Sequence, residues 1–291
     1  MNAATNPAVR HDMVFLFDIA DGNPNGDPDS GNRPRVDPET DQGIVTDVSL
    51  KRKIRDTIGL AAAGADGYEI FVTAGTYLNE ALEKSYAETG TAPDEKSKKT
   101  TDATDARAWL CSKYFDIRMF GAVLSTGKTS ALGQIRGPLQ VSFGRSVDPV
   151  VPAEHAITRL AHTTESDAAK GGGTMGNKWT IPYGLYVCTL SYSASRGAQT
   201  GVTERDLELL YRCLVNMFDH TASAARASMS ARGLIVFSHP DAFGRAPMQA
   251  LVDRVEIVKR GGIDVPRKFT DYQVTLNEEG LAEGITLDRI L

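Results

Sequence analysis

Residues 13–20 read MVFLFDIA, and from residue 21 the chain continues as DGNPNGDPDSGNRPRVDP. A short apolar run rich in Phe that halts at a cluster of Asn, Gly, Pro and Asp predicts a β-strand ending in a multi-turn loop. In such a loop Asn and Gly supply positive φ and short side-chain hydrogen bonds. Beyond the loop, Thr46 or Asp47 is suited to cap a helix through VSLKRKIRDTIGLAAAG that stops in the Gly64 region. Residues 68–77, YEIFVTAGTY, read as strand, and residues 78–88, LNEALEKSYAE, as helix. The polar stretch 88–105 has no apolar periodicity and reads as a solvated loop.

Residues 106–124, ARAWLCSKYFDIRMFGAVL, predict a helix leading to a glycine turn, and 137–147, GPLQVSFGRSV, a strand. Residues 148–182, with Pro149 and Pro152 at one end and the glycine-rich KGGGTMGN near the other, read as a projecting hairpin. Strand returns in YGLYVCTLSYS (183–193), helix in TERDLELLYRCLVNMFDHTASAARA (203–227), and strands in RGLIVFS (232–238) and DRVEIVKRG (253–261). The long segments run strand, helix, strand, strand, helix, strand. That is the order of an α+β, ferredoxin-like (RRM-like) domain, a layout that recurs in RNA-binding modules.

At 291 residues and 41% hydrophobic content, the chain can build a sizeable core. Its apolar runs fall short of a membrane span and MNAATNPAVRHD lacks a signal core, so the expected compartment is the cytoplasm. Three dispersed cysteines and five scattered histidines suggest neither disulfides nor a metal site. The net charge of −5 excludes coating of nucleic acid by global attraction, so any such site is a local basic patch.

Two decoys imitate ligand sites. Residues 122–129, AVLSTGKT, meet a relaxed phosphate-loop pattern, but SALGQIRGP follows where a long helix is wanted, so Lys128 reads as a surface turn. Asp21, Asn23 and Asn25 begin a calcium loop, but Asn32 stands where a bidentate Glu is required. The informative cluster is Thr46-Asp-Val-Ser49-Leu-Lys51-Arg52-Lys53-Ile-Arg55. On a helix, Leu50, Ile54, Ile58 and Ala61 form an apolar stripe, with Lys51, Arg52 and Arg55 on the adjoining arc. Either this arc binds an anion such as phosphate, favoured by the helix start at Thr46 and Ser49, or it is a solvated charged face.

Three motifs taken together, Asn23-Pro24-Asn25-Gly26-Asp27-Pro28, Ser49-Leu-Lys51-Arg52-Lys-Ile-Arg55 and Asp116-Ile-Arg118-Met-Phe120-Gly121, resemble those of the type I CRISPR (Cascade) backbone family of the RAMP superfamily, closest to subtype I-C. The resemblance implies a hand: a modified ferredoxin-like palm (1–63, 131–147, 183–291), a helical finger insertion (64–130) and a β-hairpin thumb (148–182). It implies a non-catalytic scaffold without cofactor or metal that polymerises along a guide RNA and presents it to target DNA. The implied companions are further copies of the chain, a 5′-end-binding or processing subunit and a large subunit. Its RNA contacts map onto Thr46, Ser49, Lys51, Arg52 and Arg55, with Arg33, Arg35, Arg118, Met175 and Lys178 as further contacts. Val48 stands where some relatives carry an amide. The alternative is a metal-dependent RNA endonuclease of the same superfamily, acting through an acidic loop residue such as Asp27, Asp29 or Asp37.

Overall fold

The opening apolar run becomes β1, His11–Gly22, and each of its residues from His11 to Ile19 is buried. In the computed structural model, which describes residues 3–90, 103–124, 132–162, 164–166 and 174–291, β1 lies between β10 (Thr174–Tyr192) and β11 (Ser230–Ser238), antiparallel to both. Both of its faces are covered. Met13, Phe15, Phe17 and Ile19 enter the main core, whereas Val14 and Leu16 enter a second core with Ile235, Phe237, Leu251 and Ile285. A strand buried on both faces has no use for apolar–polar alternation, which explains the unbroken run.

The main sheet runs β14-β11-β1-β10-β8-β4, with β4 at Gln42–Val45, β8 at Gly144–Pro149 and β14 at Thr286–Arg289. β7, Leu139–Val141, also pairs with β10. Two helices pack into the main core. The first, α1 (Asp47–Ala61), contributes Leu50, Ile54 and Ile58, and α6 (Glu204–His220) contributes Leu207, Leu210, Leu214, Met217 and Phe218. A capping box between Thr203 and Asp206 fixes where α6 starts. The second core is closed by α7 (Met248–Val252) and the hairpin of β12 (Val255–Lys259) and β13 (Tyr272–Leu276). The architecture is thus α+β around a large antiparallel sheet. Among the described residues no helix is long and apolar enough to cross a membrane.

Between α1 and β7 the chain builds α2 (Leu78–Thr89), α3 (Thr104–Lys113), α4 (Phe115–Phe120) and the hairpin of β5 (Gly121–Val123) and β6 (Gln134–Arg136). This insertion has its own small core of Phe71, Leu82, Tyr86, Leu110, Ile117 and Ile135. Four sequence expectations change here. Residues 68–77 form no strand beyond a single bridge from Glu69 to Tyr114, because Phe71 and Val72 donate their N–H groups to the Asp116 carboxylate instead of a neighbouring strand. The helix expected over 106–120 breaks at Tyr114, whose backbone is extended. The helix expected over 203–227 ends at His220, where the Thr221 hydroxyl bonds the carbonyl of Met217. Ala61, placed on the apolar stripe, is exposed. The turn after α4 needs its glycine: Gly121 has φ +76°, and a Cβ there would collide with the carbonyl of Ile135.

The hairpin expected from residue 148 forms between β9 (Ala153–Arg159) and the start of β10, in register from Thr174 opposite Arg159 to Thr180 opposite Ala153. From Ile181 the same strand pairs with β1. The join is marked by Pro182, which has no N–H, and by Asp21 at φ +48° on β1. Gly171–Gly173 of the tip, Gly127–Thr129 of the phosphate-loop pattern and residues 91–102 of the polar loop lie outside the described residues. A short helix, α5 (Ala194–Thr200), follows β10.

Candidate nucleic-acid interface

The early loop and the start of α1 are built as one unit. Thr46 is the helix N-cap, accepting from Ser49 N at 3.3 Å. Its own N–H and hydroxyl donate to Asn25 Oδ1 at 2.9 and 3.0 Å. Asn25 therefore belongs to the cap, and the Thr46 hydroxyl's single proton is already donated. Within the loop, Asn23 Nδ2 bonds the Asn32 carbonyl at 2.7 Å, while positive φ falls at Asp21, Gly31 and Asn32. The loop thus folds on itself, as short Asn and Asp side chains favour. Ser49 is half-buried with no hydrogen-bond partner for its hydroxyl among the described residues, and Val48 is 68% exposed beside it.

The cations of α1 divide by how firmly they are held. Lys51 pairs with Asp47 at 2.9 Å and Arg52 with Asp56 at 2.9 Å, both one helical turn apart. Pairs of this kind contribute about 0.3–0.5 kcal/mol, so a phosphate can displace either carboxylate. Arg55 is different. Its Nε donates to Asp116 at 2.8 Å, and that buried carboxylate also accepts from Phe71 N at 2.8 Å and Val72 N at 3.1 Å. The Arg55 guanidinium lies 5.1 Å and the Lys51 ammonium 5.9 Å from the centroid of Phe120. Expected as a free surface cation, Arg55 is instead a tie between α1 and the insertion.

Lys53, which the sequence grouped with these cations, is buried, with Nζ 3.2 Å from the Thr221 hydroxyl and 5.7 Å from the Phe218 ring. Burial, and then the Arg226 charge, lower its pKa to about 8, against a smaller opposing pull from Asp56. Unfolded, the amine titrates near 10.4. The unfolded chain thus binds more protons between the two values, so stability rises as pH climbs through that window and the burial cost is felt in full below it. Lys53→Met is expected to stabilise the protein by about 1–3 kcal/mol at neutral pH, the gain shrinking as pH passes 8. Thermal melts of both proteins from pH 6 to about pH 9.5 check this; a destabilised variant at neutral pH would contradict it.

Arg118, expected as an RNA contact, points inward. Only 5% exposed, it places Nε and Nη2 on the Asp206 carboxylate at 3.1 and 2.7 Å. Its other N–H groups reach the carbonyls of Cys111 (2.7 Å), Gly67 (3.0 Å) and Ser112 (3.5 Å). All five donors are spent, which leaves none for a ligand. Arg33 on β3 (Arg33–Pro34) is exposed, with its guanidinium 5.5 Å from the Trp179 ring. Arg35 pairs with Asp27 at 3.3 Å. Arg33 thus lies against Trp179 near the root of the hairpin, and the neighbouring Lys178, on the other face of the strand, bonds the Ala224 carbonyl at 3.2 Å. Met175, 75% exposed, lies four residues along β10, about 13 Å away.

The acidic residues of the early loop serve turns. Asp27 accepts from Asp29 N as well as pairing with Arg35, and Arg145 at 2.8 Å holds the Asp37 carboxyl below the usual range. Among the described residues no group of three or more His, Cys, Asp or Glu side chains is placed to hold a metal ion. Burial pushes the thiols of Cys111 and Cys213 up to about 11 and that of Cys188 to about 12, so none is a thiolate near neutral pH.

The three motifs, distant in sequence, converge on α1: Asn25 bonds its N-cap Thr46, Asp116 holds its Arg55, and Phe120 lies against Lys51 and Arg55. The sequence profile of the family described as "CRISPR-associated protein Cas7" matches residues 9–277. The chain belongs to the Cas7 family. A relative described as "CRISPR-associated protein Cas7" from Haloferax volcanii is 28% identical over 232 residues, 71% of this chain; the match spans 64% of that relative's length. Among solved structures, the chain is similar to one in a "CRISPR RNA-guided surveillance complex, pre-nicking", at TM-score 0.49 and 13% identity over 78% of each chain. It is also similar to one in a "Cryo-EM structure of the Type III-B Cmr-beta bound to cognate target RNA", at TM-score 0.41 and 11% identity over 78% of this chain and 61% of that one. Likenesses at this level place no residue. Two features of this Cas7-family chain escaped the sequence reading: the burial of Lys53 and the place of Phe120 beside two cations. Lys53 follows the buried Leu50 by three positions, a spacing that marks the core side of a helix.

Proposed function

We propose that this chain is a guide-RNA-binding backbone subunit of a type I, I-C-like CRISPR surveillance complex. It polymerises in several copies along the guide, holds it for pairing with target DNA, and catalyses no reaction itself. The observation that carries the reading is membership of the Cas7 family across residues 9–277. The strand order β11-β1-β10-β8, all antiparallel, with α1 and α6 packed in one core, supports a ferredoxin-like palm. The insertion with its own core supports a finger within 64–130, and the β9–β10 hairpin a thumb within 148–182. The companions are other subunits of the complex, and the compartment is the cytoplasm.

At the RNA, Ser49, Lys51 and Arg52 form the gripping face, with Arg33 and Lys178 at the thumb root and Met175 further out. A scaffold that accepts any guide must hold phosphate and sugar and leave base edges free. The test is the double variant Lys51→Gln/Arg52→Gln, which removes two weakly held cations without touching the Arg55–Asp116 tie. Its affinity for single-stranded RNA is expected to fall about 10–100-fold, with a flatter dependence on salt. Unchanged affinity and salt slope would leave α1 as a solvated face and defeat the reading.

A further inference from the structure

Phe120 has a second neighbourhood. The β5–β6 hairpin, the start of β7 and α5 surround a cleft of about 390 Å³, lined by Phe120, Gly121, Gln134, Arg136, Gln140 and Arg196 among others. Among the described residues, the ionisable ones that line it are the two arginines. Arg136 is exposed and Arg196 half-exposed, and neither has an ion pair or side-chain hydrogen bond among the described residues. Most other cations near this face are spoken for: Lys51, Arg52 and Arg55 each have a carboxylate, and Arg107 bonds the carbonyl of Gln134. Two uncompensated guanidinium groups in one concave site attract an anion, and their planar forks match phosphate oxygens.

The position of the cleft narrows the ligand. Phe120 lines it and is also the ring beside which Lys51 and Arg55 lie, so the cleft continues from the basic arc of α1. We infer that Arg136 and Arg196 form a second phosphate-binding stretch on the same RNA path, taking backbone phosphates of the strand held by α1. This rests on the RNA reading above. Arginine suits the task, because it binds phosphate in two-pronged fashion without reading a base.

The experiment measures binding of labelled single-stranded RNA across a salt series by the parent, Arg136→Gln/Arg196→Gln, Arg136→Lys/Arg196→Lys and Lys51→Gln/Arg52→Gln. Melting curves confirm that each is folded. The Gln pair is expected to bind about tenfold more weakly, and its slope of log affinity against log salt to drop by about 1.4, two phosphates at roughly 0.7 each for a single strand. The Lys pair keeps the charge and is expected to retain the parent slope. If the α1 variant weakens binding while the Gln pair keeps parent affinity and slope, the cleft is not on the path and this inference falls alone. If neither variant changes binding, the RNA reading itself falls. Weaker binding at an unchanged slope in the Gln pair, or a loss confined to DNA of the same sequence, also overturns the phosphate assignment.

Discussion

Arg118→Ala is expected to destabilise the protein by about 3–5 kcal/mol, because it strips a buried carboxylate of a bidentate ion-pair partner and leaves carbonyls without donors. Asp206 is wholly buried and bonded by Arg118 at two points, and it also accepts from Thr203 N and Oγ1 at the start of α6. The loss thus reaches the N-terminus of a core helix and the carbonyls of Gly67 and Cys111 in the insertion. Arg52→Ala, which breaks only an exposed pair, is expected to cost under about 1 kcal/mol. Urea unfolding of the two variants beside the parent decides it. An Arg118→Ala protein within about 1 kcal/mol of the parent would show that this bidentate contact holds nothing together.

Asp116→Ala should come close behind, at about 3 kcal/mol, since the carboxylate gathers Arg55 and the backbone N–H groups of Phe71 and Val72 at a buried point. Arg55→Ala strands the same carboxylate, so the two single losses overlap. The double variant is expected to be more stable than their sum by at least about 1 kcal/mol, as contacting partners in a cycle are. Strict additivity in the unfolding curves would mean that Arg55 and Asp116 act independently. The cycle also separates fold from function: RNA affinity of folded Asp116→Ala should not fall, because a cation is released, not removed.

The sheet and its helices were legible because β1, β10, β11, α1 and α6 carry long, consistent patterns that local physics and the final packing both favour. The segment 68–77 was not, since its aromatic and β-branched residues satisfy their backbone through a carboxylate far along the chain. At the candidate site the sequence does not show which cations the fold itself holds. Charged residue types suggest a surface, yet Arg55 and Arg118 find acids 61 and 88 residues away, which no local spacing reveals. Lys53 and Thr57 share the buried stripe with Leu50, Ile54 and Ile58 at offsets of three, four, seven and eight. That stripe was drawn from the apolar residues alone, and the helix places every side chain by angle, whatever its chemistry.

β10 runs unbroken for 19 residues, about 60 Å, from the exposed hairpin into the middle of the sheet. Within it only one residue, Pro182, cannot donate to a ladder, and its ring fixes φ where the pairing with β9 along one edge ends and the pairing with β1 along the other begins. The direction in which the hairpin points is therefore written in main chain, as the bearing of a cantilever is set by its anchorage. Side chains along the arm can be exchanged to alter what it touches while its aim stays fixed. A run of identical subunits built on such an anchorage would repeat at one pitch, with the sheet as its ruler.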